Sequence, residues 1–517
     1  MNGMARAEPG RWMLASILLA LAALALGLGT FGAVVGWFGQ LFLMSLLVPL
    51  VLLIVDYRNG LLVLAVLLPF ANSPVIPRVG PLNVFNLMLA GVCGMYLLRA
   101  ALMFMLQRGV SLPASRQLLL FYVLPVTVSI AIGTLHFSEA PRWLFALNGM
   151  EDYALKDYLI SQYTKNMLLV FTACIIGAAV VEYGKGLRFA IALIVGALLF
   201  VAAAFALIVL SGISFEALKD QRAFLITLGR HNNEAGVMLT TALGPALFMQ
   251  AHVTSRAAKT ALLAAIGILI TGVVITFSRG AFLGMLVILL VYVIRFRHAA
   301  TALLLVAALV VIAAVFAPDA LYERLATGLN SQAVTGASVA GDPLTAGRLY
   351  TWAHLLPEVL KSPLWGRGQV STQWSDYVRD FGFTASHPHN MYLEILLDMG
   401  LLGVIFMFLF YRYVWRLFRS LGSDERLQPS MRGFFVGAWA GLLSMFVYGM
   451  SNGHYYPAPE QAFFWIAVGL ALGYSARLGP AQEASGQVAS VPRKKRPLVP
   501  PDRVLPPRPV ALPARWS

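Results

Sequence analysis

"RFAIALIVGALLFVAAAFALIVLS", residues 188–211, carries no charge after Arg188 and is apolar almost throughout. About 20 such residues wound as a helix bridge a hydrocarbon core of roughly 30 Å, so this stretch is long enough to cross a membrane. Comparable runs fill the chain on both sides. They lie at 12–36, 38–55, 61–77, 83–105, 117–134, 166–181, 235–252, 260–277, 280–296, 299–316, 390–411, 433–450 and 460–476. Closely spaced runs can merge or be re-entrant, which gives an all-α polytopic membrane protein of about 12–14 transmembrane helices. The bulk composition agrees: 59% hydrophobic residues, 12% charged and a mean hydropathy of +0.76 depart far from a soluble domain. The first run, beginning after Arg11, is too long for a signal peptide and lacks a small-residue cleavage site, so it reads as a retained span. Cys93 and Cys174 both sit inside apolar runs and offer neither a disulfide framework nor a thiolate metal site.

Lysine and arginine favour cytoplasmic loops. With both termini inside, about two thirds of the 38 basic residues fall on inner segments, which supports that orientation. The net charge of +15 then follows from this bias and from a basic tail, and calls for no nucleic acid. The chain divides into a membrane domain, 1–476, and a Pro/Arg-rich cytoplasmic tail, 477–517, which reads as disordered and lying against anionic membrane lipids. Polar segments at 135–165, 212–234 and 317–389 fall on the outer face. The last is the largest, and Trp352, Trp365 and Trp374 suggest short amphipathic helices in the interface.

The segment ends in "HPHN", residues 387–390, where the span 390–411 begins. "HNMYLEILLDMGLLG" at 389–403 has the form His-Asn, nine residues, Gly, two residues, Gly. "TFSRGAFLGM" at 276–285 places Ser-Arg-Gly before a span, and "GRLYTWAHLLPEVLKSPLWGRG" at 347–368 joins a Gly-Arg, a Trp and a Gly-x-Gly. A fourth stretch, "QRAFLITLGRHNNEAGVML" at 221–239, puts arginines ahead of Asn232 and Asn233. Together these resemble the O-antigen ligase and polymerase superfamily of bacterial envelope glycosyltransferases, over about residues 210–410. The usual Pro-Asn of the fourth stretch is replaced here by Asn-Asn, so either Arg222 or Arg230 could take the family's role.

The resemblance implies a multi-pass protein of the bacterial inner membrane with its active site facing the periplasm. The implied donor is an undecaprenyl-diphosphate-linked glycan, and the implied acceptor is a hydroxyl of lipid A core, of a growing glycan or of a protein. Ligase, polymerase and protein O-oligosaccharyltransferase all remain open, as does the oligomeric state.

Physical chemistry points the same way. Arg222, Arg230, Arg279, Arg348 and His389 all fall at the outer membrane boundary in this topology. Arginine near hydrocarbon is costly unless paired, and several converging without matching carboxylates imply an anionic ligand such as a lipid diphosphate. A diphosphate leaving group needs its charge neutralised, and an attacking hydroxyl needs a base, for which His389 is suited. Asn390 can cap the following helix, while Asn233 and His387 are expected in supporting positions.

Blander roles exist for the same residues. Arg279 could be a snorkelling anchor, and Arg348 and Arg367 could be surface charges of an amphipathic helix. The absence of Walker A, His-Glu-x-x-His and Asp-x-Asp sequences argues against ATP, cofactor or metal. A metal-dependent enzyme using Glu151, Asp152 and Asp157 is an alternative, and a lipid or polysaccharide flippase is a non-enzyme one, although no internal repeat is evident.

Overall fold

The computed structural model describes residue 51 and residues 56–479, apart from 75, 77, 80–81, 108, 110–111, 148–149, 151, 214–223, 297–347 and 382–386. The expected spans 12–36 and 299–316, nearly all of 38–55, Arg222, Glu151 and the tail beyond Gly479 lie outside the described residues.

Eight described helices are long and apolar enough to cross a membrane by length and composition. They are α2 (Val84–Met105), α3 (Arg116–Glu139), α4 (Leu155–Tyr183), α5 (Gly186–Ser211), α7 (Arg256–Ile275), α8 (Arg279–Phe296), α11 (Met391–Ser423) and α12 (Pro429–Gly449). Two shorter apolar helices are α1 (Tyr57–Phe70), which ends in a turn seven residues short of the end of the expected span 61–77, and α13 (Ala462–Leu478), which coincides with the expected span 460–476. The protein is therefore an all-α polytopic membrane protein. The sole extended pairing among the described residues is Arg78–Val79 against Leu82–Asn83.

Helix α6 (Asn232–His252) is largely enclosed. It packs against α5, α7, α8, α12 and α13, which lets it tolerate polar residues at its start and Pro245 inside. Small residues set its closest approach. A Cβ on Gly437 of α12 would lie 2.4 Å from the Gly244 carbonyl oxygen, so only glycine permits this backbone contact. The two helices run antiparallel there, bringing the end of α12 beside the start of α6.

The segment expected to hold amphipathic helices does so where it is described, as α9 (Arg348–Val359) and α10 (Asp376–Phe381). Between them a strap, 362–371, inserts beside a break in α11. Gly400 has φ +63° and ψ −163°, which interrupts the helix and frees backbone groups on both sides. The strap satisfies them: Arg367 and Gly368 donate to the carbonyls of Leu397 and Asp398, each at 2.9 Å, and Leu401 donates to Pro363 at 2.9 Å. Irregular backbone amid membrane helices is tolerable only when enclosed by protein in this way. Asp398 completes the joint. It is fully buried and accepts from Val370 N, Ser371 N, Ser371 Oγ and Tyr455 OH at 2.6–3.0 Å.

Arg367 is not the surface charge that its sequence context suggests. Its guanidinium donates to Glu358 at 2.9 Å and to Glu139 at 2.5 Å, and the side chain is only 13% exposed. The strap carries it inward because Gly366 and Gly368, both with positive φ, fold the chain against α11 and α3.

Candidate functional site

Four chain segments meet at the end of the bundle where α6, α8 and α11 begin and α12 ends. Asn390 caps α11, its Oδ1 accepting from Tyr392 N at 3.0 Å and Leu393 N at 3.1 Å. The preceding His389 has φ +52°, a left-handed conformation that costs a residue with a Cβ about 1–2 kcal/mol. Such strain is held by the surroundings. Here the holding contact is Trp352 of α9, whose indole N–H donates to the Pro388 carbonyl at 2.9 Å. The tryptophan thus fixes the helix that begins with Arg348 against the turn that presents His389.

Arg279 is the first residue of α8, just as Arg348 is the first of α9. Phe277, with φ +49°, turns the chain into α8, and the Ser278 hydroxyl donates to Asn233 Oδ1 at 2.9 Å. Asn233 therefore ties the start of α6 to the residue before Arg279. Arg279 sits at a helix N-terminus, where the backbone already carries partial positive charge and an anion is favoured, and Arg348 is the first described residue of α9. Burial and then the neighbouring charge of Arg279 hold the Arg348 guanidinium below its ordinary range. Among the described residues Arg348 has no carboxylate or hydrogen-bond partner.

His389 Nδ1 lies 3.0 Å from Asn452 Oδ1, and His387 Nε2 lies 3.4 Å from the same oxygen. Asn452 Nδ2 donates to Tyr448 OH at 2.5 Å, which orients the amide so that its oxygen faces the imidazoles. In this arrangement His389 carries its proton on Nδ1 and leaves Nε2 free to accept one. Burial lowers the pKa of His389; the Asn452 bond opposes this, and Arg348, His454 and His231 add to it. His387 is pushed down further by burial, His454 and His389. Both rings are thereby neutral near pH 7.

A second layer lies behind them. The His454 ring stands 4.4 Å from that of His387, and its Nδ1 meets Glu394 Oε1 at 2.8 Å. Burial disfavours the His454 charge, but Glu394, Glu460 and Glu234 outweigh it and push the group up to about 9.

The structure thus brings together Arg279, Arg348, His387, His389, Asn233 and Asn390. Arg230 is elsewhere in the packing. It is buried, and it donates through Nε to the Pro69 carbonyl and through Nη2 to that of Leu68, each at 3.0 Å, closing the end of α1. Its Nη1 has no partner among the described residues. Asp157 caps its own helix by accepting from Ala154 N at 2.9 Å. No group of three His, Cys, Asp or Glu that could hold a metal occurs among the described residues.

Sequence reasoning missed Asn452, Tyr448 and His454, all near "SNGHYYPAPEQ" at 451–461. A signal was present. This polar run joins the last two spans on the face where His389 lies, and it contains an imidazole and two phenols.

An apolar groove of about 320 Å³ begins at Met391, one residue beyond Asn390, and continues along α11 through Ile395, Met407 and Phe408 to Phe446 of α12. The fold and the site together define a multi-pass helical membrane protein with a polar, arginine-bearing end open to an apolar groove. Residues 264–408 match the O-antigen ligase family. A protein of Rickettsia conorii described as a candidate polysaccharide ligase is 23% identical over 160 residues, covering 29% of this chain and 36% of the relative. A similarly described protein of Rickettsia bellii is 24% identical over 140 residues, covering 25% of this chain and 32% of the relative. The chain thus aligns with about a third of the length of these curated relatives. The match takes in three of the four sequence stretches, with Arg279, Arg348 and His389, and leaves the stretch at 221–239 outside it.

Proposed function

We propose that the protein is an O-antigen ligase-like glycosyltransferase of the bacterial inner membrane. It moves a glycan from an undecaprenyl-diphosphate carrier to an acceptor hydroxyl, that of lipid A core, on the periplasmic side. The observation that carries this reading is the convergence of Arg348 and Arg279 on the turn that presents His389, which Trp352 of α9 and Asn452 hold in place. Two like charges brought together, with no carboxylate on Arg348 among the described residues, favour a ligand carrying several negative charges. The adjoining apolar groove supports a lipid-linked one.

In this reading the guanidinium forks grip the diphosphate and stabilise the charge that grows on it as the glycosyl–phosphate bond breaks. The acceptor oxygen attacks the anomeric carbon from the opposite face while His389 Nε2 takes its proton. One displacement inverts that carbon, with no covalent enzyme intermediate and no metal. Asn452, held by Tyr448, is a positioning residue that keeps the His389 proton on Nδ1.

General-base assistance contributes about 10²- to 10⁴-fold. With purified protein and a defined lipid-linked donor and acceptor, His389→Ala should lower turnover by that order while donor binding persists. His387→Ala should cost much less. Near-normal turnover in His389→Ala, or a product of retained configuration, would overturn the mechanism.

A further inference from the structure

The far end of the bundle holds a polar cavity of about 470 Å³ that the proposed reaction does not use. Arg295 in the last turn of α8, Arg419 and Ser423 near the end of α11, and Trp439 of α12 line it. Arg295 stands near the opposite end of an 18-residue helix from Arg279, about 25 Å away at 1.5 Å per residue. That separation approaches the thickness of a hydrocarbon core, so the two polar ends correspond to two headgroup planes.

Among the described residues the charged groups lining the cavity are all cationic. Among the described residues, the side chains of Arg295 and Arg419 have neither a carboxylate nor a hydrogen-bond partner, and no acidic residue lines the walls. Arg426, a few residues on, behaves differently and is paired with Asp424 at 2.7 Å. Arg295 in the last turn of α8 complements that helix's dipole, which accounts for its charge but not for the rest. Among the described residues, Trp439 keeps its indole N–H buried without an acceptor, and Arg432, about two turns earlier on α12, keeps its Nε in the same condition. An unmet buried donor costs about 1–3 kcal/mol, so such groups ordinarily have a partner. Trp415 packs edge-on against Trp439 with ring centroids 5.0 Å apart, an aromatic pair of the kind that marks a headgroup level.

We propose that this cavity binds the phosphate of an anionic phospholipid in the leaflet opposite the reaction site. The two guanidinium groups and the indole N–H supply donors to the phosphate oxygens. The cavity is a site for resident lipid and is separate from donor binding.

Delipidated protein in neutral detergent, titrated with phosphatidylglycerol, phosphatidylcholine or sodium phosphate, tests this by native mass spectrometry and melting temperature. Phosphatidylglycerol should bind at least about tenfold more tightly than phosphatidylcholine and raise Tm. The double variant Arg295→Ala/Arg419→Ala should lose that preference, and Trp439→Phe, which removes the N–H together with part of the indole ring, should weaken it severalfold. Arg412→Ala/Arg416→Ala, on α11 outside the cavity, should keep it. Stabilisation by sodium phosphate equal to that by the lipid, lost in the same double variant, would retain the phosphate site but overturn its lipid source. Equal affinity for the two lipids, or equal losses in the cavity and control variants, would overturn the proposal.

Discussion

Arg348 and Arg367 stand 19 residues apart in one segment, and both belong to the stretch that resembles the ligase superfamily. The structure gives them opposite surroundings. Arg367 is carried inward by the glycine-bearing strap, where Glu358 and Glu139 neutralise it. Arg348, the first described residue of α9, is held below its ordinary range by burial and then by the charge of Arg279, with no carboxylate among the described residues. The first arrangement is complete as it stands and belongs to the fold. The second has no acidic counter-charge among the described residues, and that is the property expected of an anion-binding face.

The largest effect should come from Arg279. Removing one donor that meets charge developing in a transition state costs about 10²- to 10³-fold in turnover. Arg279→Ala should lose that much transfer at unchanged Tm, and Arg279→Lys should lose most of it too, because an ammonium lacks the bidentate fork. Wild-type transfer by Arg279→Ala at equal expression would remove it from the ligand-binding face.

Arg367→Ala should reverse the pattern. Taking one partner from a buried ion pair typically costs 3–5 kcal/mol. Glu358 keeps Lys361 at 2.9 Å and Glu139 is 39% exposed, so about 2 kcal/mol is the expected loss here. Tm should fall while the folded fraction retains its transfer rate. A large fall in rate at unchanged Tm would place Arg367 with Arg348.

The pairing of His454 with Glu394 should appear in the pH dependence of stability. Its folded pKa, about 9, lies above the unfolded value near 6.5. The contribution is therefore complete below about 6.5 and is lost as pH rises through about 9. Tm should decline over that window, and His454→Gln should flatten the decline. A pH-independent Tm would deny that His454 is charged. Turnover should follow a different course: with the His389 pKa depressed, its acid limb lies below the ordinary histidine range.

The spans were legible because hydropathy is a property of consecutive residues. Even α6, less apolar than its neighbours, showed as an apolar run. Arg279, Arg348 and His389 were legible because each sits beside a break before a helix, and because motif spacing recorded their association. What escaped was tertiary pairing over long sequence separations. Arg367 meets Glu139 across 228 residues, and His389 meets Asn452 across 63, with no local pattern to announce either contact. Gly400 was equally silent. Within an apolar run it reads as an ordinary helical glycine, and only the strap that fills the break reveals why φ must be positive there. Arg230 shows the converse: a sequence position suited to ligand binding is occupied by a side chain that closes α1.

The most direct measurement is the affinity of a lipid diphosphate for purified wild-type, Arg348→Ala and Arg367→Ala protein, with Tm recorded on the same samples. A charge-assisted hydrogen bond is worth about 1.5–3 kcal/mol, or roughly ten- to a hundredfold in affinity. Arg348→Ala should weaken binding by that factor and leave Tm unchanged, whereas Arg367→Ala should lower Tm and leave affinity unchanged. Unaltered affinity in Arg348→Ala, or a fall in its Tm matching that of Arg367→Ala, would contradict the assignment of Arg348 to the ligand rather than to the fold.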